Sequence, residues 1–176
     1  MAIFSIVIED NMIFEITNNF RNVLIVACGG CINESLAYTN KYPIFKTVNN
    51  KTKTYAVHLE AERIYKILVN KGHIVKVLES SEIKHFEFLC IRNKIIKFDL
   101  YDYIGDFKPD IILNLSCGAG TFGIVKSHGE SVPIKQITES IGMLSYVYEE
   151  TTDGQYMVHS KVKIISFDGR VVELKY

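Results

Sequence analysis

Apolar positions along this chain recur with two different periods, and the period assigns each stretch to strand or helix. Val23 to Ala27 is an unbroken apolar run, the pattern of a strand buried on both faces. It runs into Cys28-Gly29-Gly30-Cys31, a tight turn. The most apolar stretch, Ile111 to Leu115, follows Pro109-Asp110 and ends in Ser116-Cys117-Gly118-Ala119-Gly120. Between them Val57, Ala61, Ile64, Tyr65 and Leu68 recur at helical spacing. Glu62 sits four residues before Lys66, and Gly72 stands where a C-terminal cap belongs. This predicts a helix over 55–71 with Val57, Ala61, Ile64 and Leu68 facing inward. His73 to Leu78 supplies the next strand. Strand, helix and strand in that order form a βαβ unit, which implies a parallel sheet. The strands at 23–27 and 110–115 belong at its centre. Both cysteine-bearing turns then lie outside the carboxyl ends of the strands, where open α/β sheets bind ligands.

Other stretches read as additions. Residues 3–17 alternate around Glu9-Asp10-Asn11 and predict a hairpin. The stretch from Tyr38 to Thr54 is polar and irregular. Phe86 to Ile91 and Lys94 to Leu100 flank Arg92-Asn93 as a second hairpin, and Pro133 to Ile137 reads as a short core strand. Val162 to Lys175 alternates around Asp168-Gly169, a strong hairpin turn signal. With no repeat and no linker, residues 1–176 make a single α/β domain. Its expected form is a mainly parallel central sheet flanked by helices, with β-hairpin additions at both termini.

Charge narrows the class. Twenty basic residues balance twenty acidic ones, so no positive field marks a nucleic-acid or membrane surface. The apolar start, residues 1–20, is interrupted by Glu9, Asp10 and Glu15 and lacks a basic leader, unlike a signal peptide. No apolar run reaches the roughly 18 residues of a membrane helix. The expected location is the cytoplasm, where thiols are kept reduced and four cysteines suggest metal or redox chemistry before disulfides.

The thiols are the candidate chemistry. Cys28 and Cys31 have the two-residue spacing that lets both sulfurs reach one metal or form one small redox disulfide. With Cys90 and Cys117 the chain holds four cysteines, enough for tetrahedral zinc or an iron–sulfur cluster. Cys90 also falls in an apolar stretch where a free cysteine is ordinary core filling. A thiol–disulfide enzyme with Cys28 as attacking thiol is one alternative. A small-molecule site at Gly29, Gly30, Gly118 and Gly120 is another. The second turn resembles the glycine-rich motif of S-adenosylmethionine-dependent methyltransferases, although Asn114 stands where that motif has a carboxylate nearby. No two of the five histidines pair at ligand spacing; His85, five residues before Cys90, is the one candidate substitute ligand. Nothing in the sequence places Glu34 or Glu60 beside a nucleophile.

Val23 to Cys31, then Cys90, then Asp110 to Gly120 with Val132-Pro133 following, together resemble the C-terminal domain family of methylenetetrahydrofolate reductases. That family includes the small accessory subunit of the acetogenic enzyme. The resemblance covers roughly residues 22–142. It implies Cys28, Cys31, Cys90 and Cys117 as ligands of zinc or an iron–sulfur cluster, in an accessory domain beside a flavoprotein reductase partner. After Gly142 the accessory subunit would carry further cysteines, and this chain has none.

Overall fold

The two unbroken apolar runs become neighbouring strands, and the rest of the fold is arranged around them. The computed structural model describes residues 2–48, 51–83, 89, 100–128, 132–145, 148–153, 155–158, 163–167 and 171–172. In chain order the elements are β1 (Ala2–Val7), α1 (Asp10–Thr17), β2 (Asn22–Ala27), α2 (Cys31–Asn40), β3 (Phe45–Val48) and β4 (Lys51–Thr54). There follow α3 (Ala56–Asn70), β5 (Ile74–Glu79), a 3-10 turn (Ser80–Glu82), α4 (Tyr101–Ile104), β6 (Ile111–Leu115) and α5 (Gly118–His128). The chain closes with β7 (Ile134–Gln136), β8 (Thr138–Ser145), β9 (Tyr148–Glu150), β10 (Gln155–Val158), β11 (Lys163–Ser166) and β12 (Val171–Val172).

Three four-stranded sheets result, in the orders β5-β2-β6-β7, β1-β8-β11-β12 and β4-β3-β10-β9. Only the first is parallel; the other two are antiparallel. The expectation of a mainly parallel central sheet is therefore wrong: the eight strands of the two antiparallel sheets outnumber the four parallel ones. The N-terminal hairpin is wrong as well. β1 pairs with the distant β8, and α1 stands where the second arm was expected. Ile13 and Thr17, one turn apart, are the buried residues of α1, and the Thr17 hydroxyl donates to the Ile13 carbonyl at 2.9 Å. The described residues of the polar stretch 38–54 include the end of α2 and the antiparallel β3–β4 pair. At the C-terminus β11 and β12 do pair antiparallel, as the Asp168-Gly169 signal predicts. The hairpin expected over 86–100 lies outside the described residues.

Within the parallel sheet the expectations hold. β2 and β6 run side by side with Val23 opposite Ile111 and Ala27 opposite Leu115, and Val23 to Ala27 are fully buried. α3 buries Val57, Ala61, Ile64 and Leu68. It stops at Gly72, whose φ of 91° is open to glycine at no steric cost; Gly72 N–H and His73 N–H return to Val69 and Leu68 carbonyls. Among the described residues no helix is long and apolar enough to cross a membrane.

α2 joins two cores. Ile32, Leu36 and Ala37 belong to the main core with β2, β6 and α3, whereas Cys31 and Tyr38 pack against Ala2, Phe4, Leu144 and Ile164 of the antiparallel sheet. Positions 31, 35 and 38 share one helical face. Ser35 fastens that face to β1, accepting the Ser5 N–H at 3.1 Å. Tyr38 meets Phe4 edge to face, with centroids 6.2 Å apart.

Candidate functional site

In chain order the parallel strands are β2, β5, β6 and β7, and in space β5 and β6 flank β2 on opposite sides. The order reverses between β2 and β6. In open α/β sheets this switch point leaves a crevice at the carboxyl ends of the two strands. Here those ends carry Cys28-Gly29-Gly30-Cys31 and Ser116-Cys117-Gly118. Each turn feeds directly into a helix, so Cys31 is the first residue of α2 and Gly118 the first of α5.

Two of the three described cysteines, Cys31 and Cys117, act on one another's proton. They lie close enough to shift one another's acidity, the Cys31 S–H favouring the charged form of Cys117. Cys117 Sγ accepts the Gly120 and Ala119 N–H groups at the start of α5, where unpaired amides and the helix dipole favour an anion. The Cys31 S–H, aided by these amides and opposed by burial, brings the Cys117 thiol down to about 6. Cys31 moves the other way. Its interaction with Cys117 and its burial raise it, the Ile3 N–H works against that, and the Cys117 and Glu34 charges add to the rise.

Cys28 has partners of its own. Its backbone N–H goes to the Leu115 carbonyl at 3.0 Å, continuing the β2–β6 ladder. Its sulfur is buried and accepts the Leu89 N–H at 3.4 Å. Cys90 and His85 lie outside the described residues. Among the described residues no group of three or more His, Cys, Asp or Glu is placed to hold one metal ion. The helix that begins at Cys31 sets that side chain against the core of the antiparallel sheet, with Ala2 and Phe4 of β1.

The glycines have structural duties. Gly29 N–H donates to Ser80 Oγ at 2.8 Å, tying the β2 turn to the end of β5. The Gly30 carbonyl accepts the Asn33 N–H at 2.8 Å, starting α2. A side chain at Gly120 would meet Ser116 Cβ at 2.7 Å, so glycine here lets α5 approach its own strand turn. Gly118 has more room, with Gln136 Oε1 the nearest atom at 4.0 Å from an added Cβ.

A polar network that the sequence did not announce fixes the β6–α5 turn. Asn114 Nδ2 donates to Thr121 Oγ1 at 2.8 Å, and Thr121 Oγ1 donates to Gln136 Oε1 at 2.6 Å. Gln136 Nε2 donates to the Thr138 carbonyl at 2.8 Å, and the Thr138 hydroxyl donates to the Ser116 carbonyl. Ser116 Oγ donates to the Cys117 carbonyl at 3.0 Å. Asn114, which stands where the methyltransferase motif has a carboxylate nearby, braces the turn that carries Cys117. No protein-family model matches the chain, and no curated protein and no solved structure resembles it closely enough to count as a match.

Proposed function

We propose that this chain is a thiol-redox domain whose Cys31–Cys117 pair cycles between thiolate–thiol and disulfide at the switch point of the parallel sheet. One observation carries the reading: Cys31 and Cys117 open two helices at the same edge of the parallel sheet and shift one another's acidity there, which lowers the Cys117 thiol. A low-pKa thiolate beside a second thiol is the arrangement of a cysteine that is oxidised and then resolved. Burial of Cys117 favours a small oxidant of the hydroperoxide class over a protein disulfide. Cys117 thiolate attacks the terminal peroxide oxygen; the S–O bond forms, the O–O bond breaks, and the alkoxide or hydroxide leaves with a proton from solvent. The Cys31 sulfur then attacks the sulfenic acid, forming the S–S bond, and its proton departs with the hydroxide as water. Two electrons pass from the sulfurs to the peroxide. A dithiol reductant closes the cycle.

Hydrogen peroxide treatment followed by alkylation and peptide mapping tests this. The expected product joins Cys31 to Cys117 and leaves Cys28 alkylatable after unfolding. Cys31→Ser should leave a sulfenic acid on Cys117 that dimedone traps. A Cys28–Cys31 disulfide, or no disulfide, would overturn the reading. The four-thiolate zinc or iron–sulfur reading uses the same two thiols and needs Cys28 turned from the Leu89 N–H to join them with Cys90. Stoichiometric zinc or iron in the purified protein, lost in Cys28→Ser, would put that reading first.

A further inference from the structure

At the carboxyl end of β5 a cavity of about 580 Å³ opens between the β3–β4 pair, α3 and the 3-10 turn. Its hairpin wall carries Lys46 and Lys53, which are direct cross-strand partners. Like charges facing one another across antiparallel strands weaken the pairing, so hairpin stability does not explain two lysines on the cavity side. Among the described residues neither lysine has a carboxylate partner. Lys46 Nζ lies over the Tyr55 ring, 5.0 Å from its centroid.

The facing wall is built around His58. Its ring stacks on Tyr55, the planes 24° apart, and its Nδ1 is 2.6 Å from Glu79 Oε1. Glu79 is itself held, because its carboxylate accepts the Glu82 N–H while Glu82 Oε2 accepts the Glu79 N–H at 2.7 Å. Nδ1 is therefore committed, and Nε2 is the ring nitrogen left for the cavity, with Glu62 Oε1 at 3.5 Å. Glu62 in turn lies 3.7 Å from Lys66 Nζ. The carboxylates on this wall have cations or N–H groups beside them, whereas the lysine pair opposite has none of the opposite sign. Tyr55 and Tyr65 supply aromatic surface between the two walls.

We propose that this cavity binds a flat organic anion, with its charged group between Lys46 and Lys53. Its ring lies against Tyr55 and Tyr65, and a hydroxyl at its far end bridges His58 Nε2 and Glu62 Oε1. A ring bearing a charge at one end and a neutral hydroxyl at the other matches the lysine wall, the aromatic middle and the histidine wall in that order. The site is separate from the thiol pair, although Glu79 and Ala27 are register partners and both features share one edge of the sheet.

4-Hydroxybenzoate is the probe, and 4-hydroxybenzamide is the same ring without the charge. Titration of the full chain should show the benzoate binding and shifting the His58 ring resonances, and the amide binding at least fivefold more weakly. Lys46→Gln and Lys53→Gln should each weaken the benzoate by about fivefold, the scale of one modest ion pair. Because each substitution relieves a like-charge pair, the unliganded variants should unfold at the same or slightly higher denaturant, so lost affinity would not reflect lost fold. Equal binding of amide and benzoate, or affinity unchanged in both lysine variants, or no response at His58 at millimolar probe, would overturn the proposal.

Discussion

A thiol at the start of a helix is an ordinary residue until something takes its proton's place. For Cys117 that something is the Cys31 S–H together with the amides of Ala119 and Gly120. A group held below its ordinary value stabilises the fold in its charged form, and the sign follows by linkage. Between about 6 and the ordinary value of 9.0 the folded chain has lost the Cys117 proton and the unfolded chain keeps it. Stability therefore climbs with pH across that window, is present in full near 9, and is lost as pH falls through about 6. Cys31 is raised, so its contribution is present below the ordinary value and declines above it; the climb should flatten or reverse past pH 9. Urea midpoints at pH 6 and pH 8 check this. The wild type should gain stability between them, and Cys117→Ser should lose the pH-dependent part of that gain. An identical slope in both proteins would show that Cys117 does not hold the charge.

At the scale of elements, legibility depended on how each segment is buried. β2, β6 and α3 were readable because apolar residues fill their buried positions, and α3 offers the cleanest check. Ile64 is fully buried against the parallel sheet, so Ile64→Ala should cost about 2–5 kcal/mol in denaturant titration. A loss under about 0.5 kcal/mol would place Ile64 among surface positions. α2 hid its period because Asn33 and Ser35 are buried polar residues. Asn33 is there as a clamp: its Nδ2 donates to the Ile44 carbonyl at 2.9 Å and its Oδ1 accepts the Val57 N–H at 2.9 Å. α1 hid because eight residues allow little more than one buried stripe, and its Phe14 and Ile16 mimic strand alternation around Ile13. Asp10, read as a turn residue, is the first residue of that helix. Arg63 Nη1 donates to its carboxylate at 2.8 Å and so ties α1 to α3. The partners of the antiparallel strands were invisible for a different reason: β1 meets β8, and β3 meets β10, far along the chain. Alternation along one strand does not name its neighbour. The candidate site was half legible for the same cause. The two cysteine turns followed from the two apolar runs. What the runs did not announce is that α2, which Cys31 opens, packs against the antiparallel sheet as well.

For the whole molecule, the thiol pair sits where separate parts of the chain meet. Cys31 heads the helix that packs on both the parallel sheet and β1, and Cys117 heads the helix that follows β6. Ile3 of the first strand donates to Cys31, so the antiparallel sheet reaches the site directly. A bond between the two sulfurs would close a loop of roughly 90 residues, for which chain entropy allows about 4–5 kcal/mol of stabilisation before any native strain is subtracted. The oxidised protein should therefore resist urea more than the reduced protein, by up to about 4 kcal/mol, and dithiothreitol should reverse the difference. Cys31→Ser and Cys117→Ser should each abolish the response, whereas Cys28→Ser should keep it on a less stable background, since Cys28 fills core. If oxidation instead lowers stability in the wild type, closure strains the seam between α2 and α5, and the pair is not built to cycle through a disulfide.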